Sequence, residues 1–244
     1  LQITEGVYSL LGKYYFNNNI NIWLWTLYGN DKVKGWETVK SVRTTPEFGG
    51  RFQVPAGMGD LAISYHHRKA DYTGLMPGVP PATRTEYPEQ MVALDGKWDL
   101  GPGVWFEVVK KLNDKENNLT GRWESWYSLG MDYTFRIGKG LSVISEYFHY
   151  SARPEPDLEK IKNNIVTMSL VYPLFLSHSV SGIVYYNWNA GEWYRFLNIQ
   201  FKYDYMSLYL MGFWNPETSG LYNSGEGNNL FVGKGFQVML VFNL

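Results

Sequence analysis

The sequence predicts an all-β fold, a transmembrane antiparallel up-and-down β-barrel of about 12 to 14 strands. Three observations lead to this prediction. Apolar stretches of about ten residues alternate with period two, the connections between them alternate between short and long, and the last stretch is itself a strand. We expect residues 1–244 to form a single domain, either the whole barrel or the C-terminal part of a larger one.

The final stretch, residues 236–244, shows the alternation most clearly. Every second residue is large and apolar: Phe236, Val238, Leu240, Phe242 and Leu244. The period of a strand puts these side chains on one face. A final strand has an edge that needs a partner, and closure of the sheet into a barrel removes free edges.

The same pattern recurs along the chain and predicts candidate crossings. They are 5–16, 20–29, 46–55, 59–70, 90–100, 103–113, 126–137, 141–151, 163–173, 179–188, 194–204, 206–215 and 235–244. Strands of about ten residues have the length that a tilted crossing of a bilayer needs. The number of crossings is odd, whereas bacterial barrels usually have an even number, so the strand count and the barrel's completeness stay open.

Short and long connections alternate between these crossings. The short set is 17–19, 56–58, 101–102, 138–140, 174–178 and 204–205. The other set is 30–45, 71–89, 114–125, 152–162, 189–193 and 216–234, of which only 189–193 is short. In membrane barrels the short turns face the periplasm and the long loops face outside. The proline-rich 71–89 is expected to be either a mobile external loop or a lid folded into a pore.

The last stretch resembles the C-terminal strand of Gram-negative outer-membrane β-barrels, in which alternate hydrophobic residues usually end on Phe or Trp. Leu244 departs from that aromatic terminus, although Phe242 lies two residues before it. The resemblance implies a porin-like protein of the Gram-negative outer membrane, a channel for small polar solutes with no cofactor. Its implied partners are outer-membrane lipid, the solute, and either further copies of the chain or a protein held within the barrel.

Composition agrees with a membrane barrel and excludes several other classes. The chain has 19 Tyr and 10 Trp, and such amphipathic rings are typical of a surface that passes from hydrocarbon to water. There is no cysteine, which excludes disulfides and thiolate metal sites. The 22 basic and 23 acidic residues balance, which removes the argument for nucleic-acid binding.

Charged residues take one side of the predicted strands and large apolar residues the other. In 126–137, Leu129 and Met131 lie opposite Asp132 and Arg136. A basic side chain facing lipid at mid-depth costs about 2 to 4 kcal/mol, so the charged side is expected to line the lumen. The predicted solute-contacting residues are Arg51, His66, Arg68, Asp95, Lys97, Asp99, Glu107, Lys111, Asp132, Arg136, Glu146 and Lys202.

Two interpretations of these charges are open. Neighbouring strands can pair opposite charges across the wall, which would merely stiffen the barrel. Alternatively, the charges form an eyelet that orients a polar solute. The mixture of signs predicts little ion selectivity in either case.

In three predicted strands, aromatic residues make both sides apolar, so the two sides are hard to tell apart. These residues are Trp23, Trp25, Tyr185, Tyr209 and Phe213. They could fill space within the barrel, or they could form a track for sugars or lipidic molecules.

Catalysis and metal binding have weaker support. His149 and Ser151 have the His-x-Ser spacing of outer-membrane acyl hydrolases, which gives an enzyme as one alternative to a channel. Those hydrolases continue with Asn and a small residue, whereas Ala152 follows here. A structural barrel that houses a partner in an export or transfer complex is the other alternative. His66 and His67 point to opposite sides of a strand and cannot chelate one ion, so no metal site is predicted.

Overall fold

The computed structural model describes residues 7–34, 37, 39–75, 80, 83–113, 121–152, 160–175, 177–217 and 231–242. Within these ranges the chain forms strands and no helix, so the predicted all-β class is confirmed. The described residues accordingly contain no helix that is long and apolar enough to cross a membrane.

Thirteen strands follow one another along the chain. They are β1 (Ser9–Tyr15), β2 (Asn21–Leu27), β3 (Glu47–Pro55), β4 (Gly59–Asp71), β5 (Glu86–Asp99), β6 (Gly103–Asn113), β7 (Trp123–Phe135), β8 (Leu141–Ala152), β9 (Ile161–Pro173), β10 (Ser179–Asn187), β11 (Glu192–Lys202), β12 (Met206–Trp214) and β13 (Lys234–Phe242). Each predicted crossing corresponds to one of them.

All thirteen strands belong to one antiparallel sheet in which each strand is hydrogen-bonded to its neighbours in sequence. The up-and-down arrangement is therefore confirmed. The predicted closure is not seen: β1 and β13 are the terminal strands, and no pairing between them occurs in the described ranges. Both terminal strands have exposed side chains on both faces along most of their length.

The strand bounds keep the predicted alternation of short and long connections. Six connections of three to five residues link β1–β2, β3–β4, β5–β6, β7–β8, β9–β10 and β11–β12. In the first of them Asn19 has a φ of 63°, a left-handed conformation that Asn adopts more readily than most residues. The other connections are longer, except for 188–191 between β10 and β11.

Several strands are longer than the sequence predicts. The predicted loop 71–89 is shorter in the structure, because β4 runs to Asp71 and β5 starts at Glu86. Beyond them the Tyr72 amide still donates to the Thr85 carbonyl, at 2.8 Å. Residues 76–79 and 81–82 of this loop lie outside the described residues, so the predicted lid stays a prediction there. Residues 5–6 of the first predicted crossing and 243–244 of the last lie outside them as well.

Contacts divide the chain into two compact units. Unit 1 is Leu1–Asp99, Trp105–Ser128 and Tyr150–Lys162, and unit 2 is Leu100–Val104, Leu129–His149 and Asn163–Leu244. Strands β6, β7, β8 and β9 contribute residues to both units. The expectation of a single domain stays a prediction.

In unit 1 the connection between β2 and β3 folds back onto the sheet. The Val42 amide donates to the Lys69 carbonyl, and the Asp71 amide donates to the Lys40 carbonyl, at 2.8 and 2.9 Å. Residues 40–42 thereby occupy the edge of β4 beyond the end of β3. Beside them, Val39, Ala70 and Tyr72 form a small buried cluster with Tyr87 packed against it.

The sheet has two chemically different faces. Exposed large hydrophobic side chains mark what we call the apolar face; among them are Leu24, Phe52, Ile63, Val92 and Leu94 in unit 1, and Met131, Met168, Leu197, Val238 and Leu240 in unit 2. The alternate positions of the same strands form the polar face, which carries most of the charged and amide side chains of the strands. Large apolar side chains are thus exposed while several charged ones are buried, the reverse of the usual soluble pattern.

Candidate functional site

A continuous chain of ion pairs, most of whose members are buried, lies on the polar face of unit 1. In order, its members are Glu47, Lys34, Glu37, Arg68, Glu89, Lys111 and Glu124. Acidic and basic side chains alternate throughout. The nitrogen–oxygen separations lie between 2.7 and 3.5 Å from Glu47 as far as the Glu89–Lys111 pair, and Lys111 and Glu124 are in direct contact.

Two further side chains extend this ion-pair chain at its ends. His66 Nε2 lies 3.3 Å from Glu47 Oε2, and Nδ1 of the same ring accepts a hydrogen bond from Trp25 Nε1 at 3.1 Å. At the other end the Tyr150 hydroxyl donates to Glu124 Oε2 at 3.1 Å. The carboxylates at both ends therefore have polar neighbours besides their lysines.

The centre of the ion-pair chain is almost completely removed from solvent. Arg68 and Glu89 are opposite each other in the register of β4 and β5, and they are 3% and 0% exposed. Arg68 Nε donates to Glu89 at 2.7 Å, Arg68 Nη1 donates to the Val39 carbonyl at 3.0 Å, and the Tyr72 hydroxyl donates to Glu89 at 2.7 Å. Buried charges need such additional hydrogen bonds to offset their lost hydration.

The ion-pair chain also fixes the β2–β3 connection to the sheet. Lys34 and Glu37 belong to that connection and bind Glu47 and Arg68 on the strands. Four acidic and three basic side chains nearly neutralise one another, so little charge is left for a solute. Arg68 and Lys111 were predicted to contact a solute. Both are buried and paired with glutamates, so the geometry favours these ion pairs over direct contact with a solute.

A second, more accessible cluster lies on the polar face of β3 and β5. The Arg51 guanidinium binds Asp95 through two hydrogen bonds of 2.6 and 2.7 Å, and it also donates to Ser64 at 3.3 Å. It lies 5.9 Å from the Trp23 ring, and Lys13 Nζ lies 4.0 Å from that ring. Two cations thus approach one indole, an arrangement that cation–π attraction favours.

The remaining predicted lumen residues are spread along the strands rather than gathered. Those that are exposed are Lys97, Asp99, Glu107, Arg136 and Lys202. Most of them lie close to the short connections. Asp132 and Glu146 are half-buried. The Asp132 carboxylate lies against Gly103, where an added Cβ would be only 2.8 Å from Oδ1, so this contact requires glycine.

The structure adds charged residues that the sequence prediction missed, namely Lys34, Glu37, Glu47, Glu89 and Glu124. Glu89 and Glu124 fell in segments predicted as loops. Their spacing from Asp95 and Asp132 is an even number of residues, so the period-two rule could have assigned them to the polar face. Lys34 and Glu37 have no such signal, because they belong to a connection that folds back.

The polar face of unit 2 has a different chemistry. Along β11, charges occur only at its ends on this face, at Glu192 and Lys202; between them the face carries Tyr194, Phe196, Asn198 and Gln200. The register places Phe196 opposite Phe213, Asn198 opposite Met211 and Gln200 opposite Tyr209. Between the strand ends, β11 and its neighbour β12 therefore present aromatic rings, amides and hydroxyls without formal charge on this face.

The predicted aromatic residues all lie on the polar face. Trp23 and Trp25 contact charged or imidazole groups in unit 1. In unit 2, Phe213 is buried against other rings, and the Tyr209 hydroxyl accepts a hydrogen bond from Gln200 Nε2 at 3.1 Å. Space-filling accounts for the buried ring of Phe213, whereas Tyr209 is only half-buried.

His149 has an amide partner. Its Nδ1 lies 2.7 Å from Asn164 Oδ1, which also accepts a hydrogen bond from the Tyr147 hydroxyl at 2.8 Å. Ser151 is buried, at 5% exposure. Among the described residues, no group of three or more His, Asp or Glu is arranged to hold a metal ion.

Comparisons with known proteins give no relative. No family model matches the sequence, and no curated protein and no solved structure was found to resemble it.

Proposed function

We propose that the chain forms a transmembrane β-barrel in the outer membrane of a Gram-negative bacterium and acts as a pore for small polar solutes. The observation that carries this proposal is the inverted distribution of side chains. Leu94 and Leu197 are 40% and 41% exposed, whereas Arg68, Glu89 and Lys111 are buried. Hydrocarbon around the apolar face would remove this unfavourable exposure to water.

Aromatic residues at both ends of the apolar face support a membrane location. In unit 2, Tyr186, Trp188 and Trp193 pack together beside the β10–β11 connection, with centroid distances of 4.6 and 5.0 Å. Near the opposite ends of these strands, Phe175 and Tyr203 both contact the His178 ring. Membrane barrels have such aromatic girdles above and below an apolar band.

The terminal strands support closure of the sheet. Within the described ranges, β1 and β13 each have one edge without a partner strand, and their exposed side chains include Leu10, Tyr14, Phe236 and Phe242. An apolar strand with a free edge associates readily with another strand. Because both strands are odd members of an antiparallel order, they run in the same direction. Direct closure would therefore pair them in parallel, and one further strand between them would make every pair antiparallel.

The polar face supports a pore with little ion selectivity. Basic and acidic side chains are interleaved, and most of those in unit 1 are paired with each other. Exposed charges of both signs are left near the short connections, including Lys97, Asp99 and Arg136. A pore lined in this way lacks the single-sign ring of charge that produces strong selectivity.

Conductance across a planar lipid bilayer tests the proposal. Protein refolded in detergent should insert and give discrete current steps, with a cation-to-anion permeability ratio of about one in a potassium chloride gradient. Lys97→Gln should shift the reversal potential toward cation selectivity, since it removes an exposed cation from the polar face. Lys69→Gln, on the opposite face, is the matched control and should leave the reversal potential unchanged.

Two results would contradict the proposal. The first is a chain that stays dissolved and monomeric in buffer without detergent. The second is correct insertion without current steps, which would favour a barrel that houses a partner protein.

A further inference from the structure

We infer that the polar face of unit 2 binds an uncharged, polyhydroxylated solute, that is, a sugar. The inference rests on the proposed pore function and names the class of solute that the pore prefers. It is carried by two neighbouring groups of side chains on β10–β13 and the β12–β13 connection, one aromatic and one mainly of amides and hydroxyls.

The aromatic group is a set of four rings in mutual contact. Phe196 lies at the centre, with centroid distances of 6.3 Å to Tyr185, 6.5 Å to Phe213 and 5.8 Å to Phe231. The rings of Phe213 and Phe231 are 5.4 Å apart. Phe213 is buried by its neighbours, whereas Phe231 is 37% exposed, so this patch has both a packed base and an accessible ring.

Phe231 belongs to the β12–β13 connection, and specific hydrogen bonds fix it beside the strands. The side-chain Nδ2 of Asn215 donates to the Phe231 carbonyl, and the backbone amide of Asn215 donates to the Gly233 carbonyl, each at 2.7 Å. Asn215 is itself buried. The accessible ring is therefore pre-organised, which lowers the entropy lost when a ligand stacks on it.

Two rows of uncharged side chains follow the aromatic patch along the strands, and in each row three of the four side chains can form hydrogen bonds. The register aligns Ser181, Asn198, Met211 and Gln237 in the first row, and Ser179, Gln200, Tyr209 and Met239 in the second. Within the described residues, Asn198 Oδ1 is buried and has no hydrogen-bond partner. Because the Asn198 residue is only half-buried, a turn of its side chain toward the solute would let a solute hydroxyl supply the missing donor, and an unsatisfied buried acceptor costs about 1 to 3 kcal/mol.

This combination fits a sugar better than the other solute classes. Pyranose rings have apolar C–H faces that pack on aromatic rings, and their hydroxyls both donate to and accept from amides. An ion would lose hydration without gaining an opposite charge, because Asn198 and Gln200 are neutral. A purely lipidic molecule would leave both amides without partners.

Block of single-channel current by neutral oligosaccharides tests the inference. Maltotriose and cellotriose should interrupt the current of the wild-type channel in a concentration-dependent way. Phe231→Ala and Asn198→Leu should each raise the half-blocking concentration roughly tenfold. Tyr203→Ala, which removes a ring from the apolar face next to the end of β11, is the matched control and should leave block unchanged.

The outcomes separate failure of this inference from failure of the pore. An open channel that neither sugar blocks, or a half-blocking concentration that Tyr203→Ala raises as much as Phe231→Ala, would overturn sugar binding while the pore stands. If no channel forms, calorimetric titration of the folded protein in detergent with the same sugars decides. Binding that Phe231→Ala weakens would support the inference, and absence of binding would overturn it. A shift in gel mobility on heating checks that each variant is folded.

Discussion

Replacing Arg68 by Met is expected to lower the free energy of unfolding by about 3 to 5 kcal/mol. Arg68 pairs with both Glu37 and Glu89. In the part of the chain that the structure describes, its removal leaves Glu89, which is 0% exposed, with Lys111 as its one charged partner. It also releases the hydrogen bond to the Val39 carbonyl that helps to fix the β2–β3 connection. Urea titration of the refolded protein in detergent would measure the loss.

Lys69→Met is the matched control, one residue further along β4 and on the opposite face. Lys69 pairs with Glu86 at 2.6 Å, but its side chain is 37% exposed. Exposed ion pairs contribute about 0 to 1 kcal/mol, so this variant should be close to wild type. Equal losses in the two variants would show that the buried ion-pair chain does not stabilise the fold in the way described.

Replacing Leu197 by Arg is expected to cost about 2 to 4 kcal/mol when the protein is folded into lipid vesicles. Leu197 is exposed, lies midway along β11 and belongs to the apolar face. In a membrane this position contacts hydrocarbon, where a guanidinium loses most of its hydration. At an exposed site of a soluble protein the same substitution would change stability by no more than about 0.5 kcal/mol.

Tyr203→Arg provides the depth control for this experiment. Tyr203 is 49% exposed and lies just beyond the end of β11. It is an even number of residues from Leu197, so it belongs to the same side of the sheet. Near the membrane surface an arginine costs about 0 to 1 kcal/mol, because its side chain reaches water. The penalty should therefore depend on depth. A small, equal effect at both positions would mean that the apolar face does not contact acyl chains.

The strands could be predicted because period-two alternation is a local property of the sequence. Their ends were harder to place. Pro88 is typical of loops, yet it lies within β5 opposite Lys69, close to the start of the strand where proline is tolerated. Because of this proline, the predicted strand starts at residue 90 rather than at Glu86, and Glu89 falls in the predicted loop.

The buried ion-pair chain could be predicted only in part. Arg68 and Lys111 follow from alternation, and Glu89 and Glu124 would have followed from longer strands. The participation of Lys34 and Glu37 depends on the β2–β3 connection folding back onto β4, which is a tertiary event. Periodicity cannot reveal it, because the connection has none. Closure of the sheet is also a tertiary property, and the strand pattern alone does not determine it.

A cysteine scan along β11 tests the orientation of the two faces most directly. The sequence contains no cysteine, so Leu197, Asn198, Ile199 and Gln200 can each be replaced singly by cysteine and labelled with a fluorophore. In lipid vesicles, brominated acyl chains should quench the labels at Leu197 and Ile199, whereas aqueous iodide should quench those at Asn198 and Gln200. Two results would contradict an apolar face that contacts lipid. One is quenching by iodide at Leu197 and Ile199 together with quenching by brominated chains at Asn198 and Gln200, and the other is quenching that does not alternate along the strand.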